Sequence, residues 1–411
     1  MKQGWEIKKL GEVCKFVRGP FGGSLKKNIF KSDGYAVYEQ QHAIYNQFEN
    51  IRYFIDEDKF NEMKRFELNS GDLIMSCSGT MGKIAIVPEN IKQGIINQAL
   101  LKLSPSKKIS NIFLQLWMQS ESFQECLKKY SQGAAIQNVA SVAILKNIEI
   151  PLPPLPEQQR IVVILDEVFD GIAKAKANAE QNLKNAKELF ESYLQSVFET
   201  KGEGWEERKL GENDLIEIID GDRGKNYPTQ KDFFDEEFCL FMNTKNVRPD
   251  GFEFKSTMFI NAEKDKLMGK GKLKRNDVVM TTRGTIGNLG VFNEKVKYEN
   301  IRINSGMLIF RPNPKLISSE YLFEILRSGI IKNQINKHVT GAAQPQLPIK
   351  TLVNFTFPVP KSLSEQQTIV QKLDALSLET KKLETIYRTK IADLEELKKS
   401  ILHKAFNGEL K

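Results

Sequence analysis

The stretch Gly204-Trp205-Glu206-Glu207-Arg208-Lys209-Leu210-Gly211-Glu212 decides the fold, because the chain has already used it once as Gly4-Trp5-Glu6-Ile7-Lys8-Lys9-Leu10-Gly11-Glu12. Further pairs follow in the same order. Gly79-Thr80-Met81-Gly82 returns as Gly284-Thr285-Ile286-Gly287, Gly133-Ala134-Ala135 as Gly341-Ala342-Ala343, and Glu157-Gln158-Gln159 as Glu365-Gln366-Gln367. The spacing between partners drifts only upward, so the second copy is the first with a few small insertions. A unit this long is a domain with its connector, since solenoid repeats run to about 20–50 residues. Duplication of a whole module implies two related ligands, or one ligand with two related parts.

At 411 residues the chain has room for two or three domains, and 40% apolar with 27% charged residues is ordinary for a globular protein. Sixty Lys and Arg against 52 Asp and Glu leave a net charge of +8, compatible with nucleic acid but not diagnostic of it. No apolar run reaches the ~18 residues of a membrane span, and Met1-Lys2-Gln3-Gly4-Trp5 lacks the apolar core of a signal peptide, so a cytoplasmic protein is expected. Cys14, Cys77, Cys126 and Cys239 are scattered singly, and His42, His338 and His403 are not paired at ligand spacing. Neither disulfides nor a zinc or histidine metal site is expected.

Pro151-Leu152-Pro153-Pro154-Leu155-Pro156 reads as a rigid segment outside any helix interior, and a proline-free stretch from Glu157 to about Phe198 follows. Apolar or small residues recur there at Ile161, Leu165, Val168, Ile172, Ala175, Ala179, Leu183, Ala186, Phe190, Tyr193 and Val197. Alternating steps of three and four predict a coiled-coil seam. The second copy repeats it at Ile369, Leu373, Leu376, Leu383, Ile391, Leu394, Leu397, Ile401 and Ala405. A lone helix would expose such a seam to water, so the two helices are expected to pair antiparallel as a rod of roughly 60 Å. The boundaries expected are residues 1–156 and 204–364 for the two globular domains and residues 157–203 and 365–411 for the helices.

Within each half, short apolar runs alternate with turn residues: Ala36-Val37-Tyr38, Asp72-Leu73-Ile74-Met75, Ile84-Ala85-Ile86-Val87 and Ala99-Leu100-Leu101-Lys102-Leu103 in the first, Cys239-Leu240-Phe241, Asp277-Val278-Val279-Met280, Asn288-Leu289-Gly290-Val291 and Gly306-Met307-Leu308-Ile309-Phe310 in the second. Helical stretches follow at residues 111–129 and 318–336, so each half reads as an α+β domain. The polar residues that could recognise a ligand sit in the turns. Ser76 to Gly82 matches Thr281 to Gly287, Arg18 to Ser24 matches Asp220 to Lys225, and Gln40-Gln41-His42 is paired with Asn243-Thr244-Lys245. Glycine lets backbone approach a phosphate, while Asn, Gln, Arg and Lys present donors to base edges. Shared glycines with differing neighbours, Ser78 against Arg283 and Gln41 against Thr244, read as one scaffold presenting two readers.

At this point the chain resembles the specificity (S) subunits of type I restriction-modification systems. The resemblance rests on G-W-x-x-x-x-L-G-E opening each half, S-x-x-G-T-x-G in mid-domain, and G-A-A-x-x-x-[NQ] upstream of I-P-L-P-P-L-x-E-Q-Q-x-I; the second half, Phe357-Pro358-Val359-Pro360 onward, lacks the paired prolines. It implies two pseudo-symmetric target recognition domains separated by two long antiparallel coiled-coil helices. Each domain would read one part of a split site in double-stranded DNA. The helices would set the gap and dock two methyltransferase (M) subunits, with restriction (R) subunits joining for cleavage. The chain would have no catalysis of its own; S-adenosylmethionine, ATP and magnesium would belong to the partners. Candidate DNA contacts are Arg18, Ser24, Lys26, Gln40, Gln41, His42, Ser76, Ser78, Thr80 and Asn138 in the first half, and Arg223, Lys225, Asn243, Thr244, Lys245, Thr282, Arg283, Thr285 and Gln346 in the second.

Enzyme readings find little support. The Leu152-Pro153-Pro154-Leu155 tetrapeptide has no amide or carboxylate ahead of its prolines, unlike the N-P-P-F type of adenine methyltransferases, and Gly269-Lys270-Gly271-Lys272 does not supply a phosphate loop. Pro249-Asp250 with Glu253-Phe254-Lys255 is too closely spaced for a nuclease metal site. Two other readings stand beside DNA specificity: RNA binding, because Gly79 to Gly82 and Gly284 to Gly287 resemble a G-x-x-G clamp, and a purely structural coiled-coil scaffold.

Overall fold

The structure, a computed structural model, describes residues 3–131, 141–249, 251–339 and 346–410. The chain divides into two units, Met1–Glu180 with Thr389–Lys411, and Gln181–Arg388.

In the first unit the apolar run Leu73–Ser76 is buried along its whole length, as a strand covered on both faces must be. It lies inside a four-stranded antiparallel sheet ordered Cys14–Arg18, Leu100–Pro105, Leu73–Ser76, Ile84–Ile86. A three-stranded sheet sets Tyr35–Tyr38 parallel to Gly94–Ile96 and antiparallel to Phe54–Ile55. The opening motif closes the unit on itself: Glu6–Lys9 pairs antiparallel with Glu149–Leu152, the strand just before the proline-rich segment. In the second unit every one of these pairings recurs. Ile216–Asp220, Met307–Pro312, Val278–Thr281 and Leu289–Val291 form the four-stranded sheet, Phe259–Ile260, Cys239–Met242 and Ile301–Ile303 the three-stranded one, and Glu206–Lys209 pairs with Thr356–Val359. An added hairpin, Val247–Arg248 with Gly251–Phe252, occurs in the second unit.

The expected single helices after the sheets are each split in two, Asn111–Gln119 and Glu121–Ser131, then Ser319–Arg327 and Gly329–His338. The cause is a serine in extended conformation, Ser120 (φ −65°, ψ 154°) and Ser328 (φ −68°, ψ 162°), which ends one helix where the next begins.

The long helices are α1, Leu155–Glu199, and α2, Leu363–Phe406. Pro156 falls inside the first turn of α1 rather than ahead of it, a place where a missing N–H leaves no helical bond unmade. In the first unit Ile161 and Leu165 of α1 share a core with Leu402, Ala405 and Phe406 of α2, and further along Lys176 pairs with Glu395, so the two segments run antiparallel. In the second unit Leu194 and Phe198 of α1 share a core with Val370 and Leu373 of α2. The seam departs from its expected positions in three places. Tyr193, Leu383 and Leu397 face solvent, while Leu194 and Thr380 are buried. Thr380 is accommodated because its hydroxyl donates to Leu376 O at 3.0 Å.

The repeated Glu-Gln-Gln motif fixes each helix to its domain. Gln158 and Gln366 are fully buried. Gln158 accepts from Ser110 N–H (2.8 Å) and donates to Lys108 O (3.1 Å) and Pro153 O (2.8 Å). Gln366 does the same with Ser318 N–H (3.0 Å), Leu316 O (2.9 Å) and Pro360 O (3.1 Å). Trp205 of the opening motif donates through Nε1 to Glu365 at 2.7 Å, so the first and last motifs of the second copy touch. The four cysteines are free, and among the described residues no helix is long and apolar enough to cross a membrane.

Candidate nucleic-acid interface

The mid-domain loops are each clasped by one hydroxyl. Ser76 Oγ donates to Thr80 O at 2.6 Å and accepts from Lys83 N–H at 3.0 Å. Thr281 Oγ1 donates to Thr285 O and accepts from Asn288 N–H at 3.0 Å. This closure turns the loop tip outward, and Gly79 (φ 64°) and Gly284 (φ 71°) take the left-handed conformation there with open space beside them. Each loop joins two strands, not two helices, so the setting is not that of a G-x-x-G RNA clamp.

In both units the other candidate segments gather on one turn. In the second unit it is Asn304-Ser305-Gly306, where Asn304 Oδ1 accepts from Gly306 N–H at 2.9 Å. Gly221 packs so closely on Asn304 O that a Cβ would stand 2.1 Å from it. Arg223 Nη2 donates to Ser305 O (3.3 Å) and to Asp220 (3.2 Å). Thr244 Cγ2 and Arg283 Cβ flank Gly306, 2.9 and 3.8 Å from where its Cβ would be. Gln346 forms an isolated antiparallel bridge with Arg283, and Leu347 N–H donates to Thr282 O at 3.1 Å. Four stretches far apart in sequence thus present Arg223, Thr244, Arg283 and Gln346 together.

In the first unit the turn is Asn97-Gln98-Ala99, held by Ala99 N–H donating to Asn97 Oδ1 at 3.0 Å. Gly19 lies against Asn97 O, where a Cβ would come within 1.8 Å. Arg18 sits beside Cys77, whose thiol is pushed up to about 11 by burial against the opposing pull of that guanidinium. Ser78 Oγ lies 3.5 Å from Gln40 Oε1. Ser24 closes the first loop through its N–H to Phe21 O (2.8 Å), and Lys26 beyond it is exposed, with no ion pair among the described residues.

Several candidates are not available to a ligand. His42 is fully buried, its ring edge-on to Tyr38 at 5.2 Å and its Nδ1 3.0 Å from Glu39 O: it is a core histidine capping a short helix. Ser76 is buried with its hydroxyl engaged as the clasp, and Thr282 is buried with its hydroxyl donating to Gly306 O at 3.2 Å. Asn138 lies outside the described residues, as do Gly133-Ala134-Ala135 and Gly341-Ala342-Ala343. Thr80, Lys225, Lys245 and Thr285 are exposed, and Gln41 is half-buried.

The pairing of the third segments also shifts by one residue. Tyr38 and Met242 occupy the same position, each giving its carbonyl to an asparagine N–H, Asn97 (2.8 Å) and Asn304 (2.9 Å). Glu39 therefore matches Asn243, Gln40 matches Thr244 and Gln41 matches Lys245. After this point the first unit forms the helix Gln40–Tyr45 and the second a single 3-10 turn, Thr244–Asn246, capped by Asn243 Oδ1. The central turns themselves escaped the motif reading, although Ile96-Asn97-Gln98-Ala99 and Ile303-Asn304-Ser305-Gly306 repeat an Ile-Asn-x-small pattern that could have found them. Among the described residues no three His, Cys, Asp or Glu side chains are placed to hold a metal ion.

A family model described as "Type I restriction modification DNA specificity domain" matches residues 2–185 and again 202–392. The type I restriction enzyme MjaVIII specificity subunit of Methanocaldococcus jannaschii is 26% identical, over 99% of this chain and 93% of that one. Among solved structures, a chain from "Structural basis underlying complex assembly and conformational transition of the type I R-M system" superposes with a TM-score of 0.79 at 21% identity, covering 100% of this chain and 99% of its own. The HsdS subunit from Thermoanaerobacter tengcongensis gives 0.64 at 22% identity, over 99% and 98%. At these identities the solved structures speak to the fold.

Proposed function

Because this chain belongs to the type I restriction modification DNA specificity family and is a specificity subunit with two target recognition domains, we propose that its two loop clusters each read one part of a bipartite duplex DNA site. The observation that carries this reading is the pair of turns at Asn97 and Asn304. The framing positions correspond, Asn97 with Asn304 and Gly19 with Gly221, while the residues exposed around them differ, as two readers on one scaffold require. Arg283, Arg223, Thr244, Lys245 and Gln346 tune one half-site; Arg18, Gln40, Gln41 and Ser78 tune the other. Arg presents a bidentate fork suited to guanine, and Gln one suited to adenine.

The partners are the methyltransferase and restriction subunits. The apolar side chains left outward on α2, among them Leu378 and Ile386, offer surface to partner helices. Chemistry is left to those partners, which would bind S-adenosylmethionine, ATP and magnesium. Supporting this is the lack of an N-P-P-F-like tetrapeptide or a phosphate loop in the sequence.

The test is a map of methylated bases in cells carrying this chain with its methyltransferase partner. One split motif is expected. With Arg283→Ala, preference at a base in one part of the motif should weaken by about 1–3 kcal/mol while the other part is unchanged. An unaltered motif removes Arg283 from the readers, and loss of preference in both parts removes the division of labour between units.

A further inference from the structure

The Gly269-Lys270-Gly271-Lys272 segment, which fails as a phosphate loop, is built into the second cluster by a different device. The backbone of Lys270 is held on both sides of its Cα. Its N–H donates to Asp222 Oδ2 at 3.3 Å, beside Gly269 N–H at 2.7 Å, and its carbonyl accepts from Arg302 Nη1 at 2.6 Å. Asp222 uses its other oxygen to accept from Gly224 N–H at 2.6 Å. One buried carboxylate therefore joins the loop that carries Arg223 to the segment that carries Lys270. Asn226 Nδ2 adds a second tie to Leu267 O at 2.9 Å. Arg302 is itself buried and fixed by Asp265, through Nε to Oδ1 and Nη2 to the carbonyl, both at 2.6 Å.

The Lys270 side chain, by contrast, is exposed at the rim of an open cleft of about 540 Å³. Among the described residues neither Lys270 nor Lys225 is in an ion pair. Asp222 is held below the ordinary aspartate range by those backbone donors, Gly224 N–H foremost, so it stays charged while its oxygens face backbone and not the ammonium groups. A backbone locked at both ends beneath a free cation is preorganised for an anion, and a lysine ammonium suits a phosphate as a point charge. At the place of Asp222 the first unit has Pro20, so the device belongs to one reader alone.

We propose that Lys270 contacts a DNA phosphate in the half-site read by the second unit, with Asp222 as its positioning residue. This rests on the reading of the chain as a DNA specificity subunit. The experiment uses the full chain assembled with its methyltransferase partner. Binding is measured to the duplex carrying the target and to duplexes with either half-site scrambled, between about 50 and 200 mM salt. Wild type must prefer the intact target; if it does not, the functional reading fails and the proposal with it.

Given that preference, Lys270→Ala should weaken binding roughly five-fold, equally on all duplexes, and lower the salt slope by about one. Lys270→Arg should keep both. Asp222→Asn should also weaken binding even though it removes a negative charge, which by charge alone would tighten it. An unchanged slope for Lys270→Ala, or an altered base preference, overturns the phosphate contact. Unchanged or tighter binding by Asp222→Asn overturns the positioning role. A wild-type-like thermal unfolding transition, together with retained discrimination at the second half-site, which the second unit reads, reports that the variants are folded, and if Asp222→Asn fails to fold, the two Lys270 variants decide the proposal.

Discussion

The two units solve one packing problem from different strand positions. In the first, Lys102 donates to Glu67 O and lies 3.9 Å from Asp72. In the second, Arg311 donates to the equivalent carbonyl, Lys272 O, at 3.2 Å and grips Asp277 with two bonds of 2.9 and 2.8 Å. By strand pairing, Lys102 corresponds to Ile309 and Arg311 to Ser104, so the cation has moved two residues along the strand. Two residues preserve the face, because side chains alternate with period two. The outward surfaces differ more. The first loop of the first unit carries Phe21, 93% exposed, where the second unit carries Arg223, and the clamp of Asp222 on Lys270 has proline opposite it. Duplicated modules thus keep the geometry of the burial and vary the chemistry of the rim.

The strongest test of that equivalence exchanges one unit's part for the other's. In the first unit Phe406 of α2 packs edge-on to Phe113 at 5.3 Å; in the second, Phe198 of α1 packs edge-on to Tyr321 at 5.6 Å. Phe198 and Phe406 hold the same place in the two helices, as do Leu194 and Leu402. A fragment of residues 1–203 lacks Leu402, Ala405 and Phe406 but carries their counterparts, so it should form a dimer in which each copy's Leu194 and Phe198 fill the other's core. Sedimentation at tens of micromolar would detect it, and a folded monomer would break the equivalence.

The ion pairs give a smaller effect. Arg311→Met leaves Asp277 buried with its charge unpaired and should destabilise the second unit by about 3–5 kcal/mol. Lys102→Met, whose partner is farther away, should cost the first unit less. Chemical denaturation that ranks them equal would show that the looser geometry does not weaken the pair.

The smallest effect concerns one substitution between the units. Glu324 is buried where the first unit has Leu116, and desolvation pushes its carboxyl up to about 7 against the pull of Arg327, 2.6 Å away. Folding therefore favours its protonated form. The stability this contributes is complete below the ordinary value of 4.5 and is lost as pH rises through about 7. Glu324→Gln should be more stable than wild type above pH ~7 by on the order of 2 kcal/mol, with the gain gone near the ordinary glutamate range. Thermal unfolding across that window checks it, and a gain independent of pH would assign the effect to packing.

What the sequence by itself determined was the duplication, the α+β content of each half, the long helices and the family resemblance. Each of these is written in local pattern or in self-similarity at long spacing. Glu157-Gln158-Gln159 and Gly204-Trp205 were visible as motifs, yet only the fold gave them their task, because the bonds of Gln158 reach residues as distant as Lys108 and Ser110. The binding surface was legible as a set of polar turns and no further. His42, Ser76 and Thr282 have the same side-chain chemistry whether they face DNA or a core, and burial, which decides between these, is set by strands paired across the whole unit. Lys270 shows the converse. Its Gly-Lys repeat carried no usable motif, and it joins the second cluster because Asp222, distant in sequence, and Arg302, from a strand beyond, hold the N–H and the carbonyl of this one residue between them.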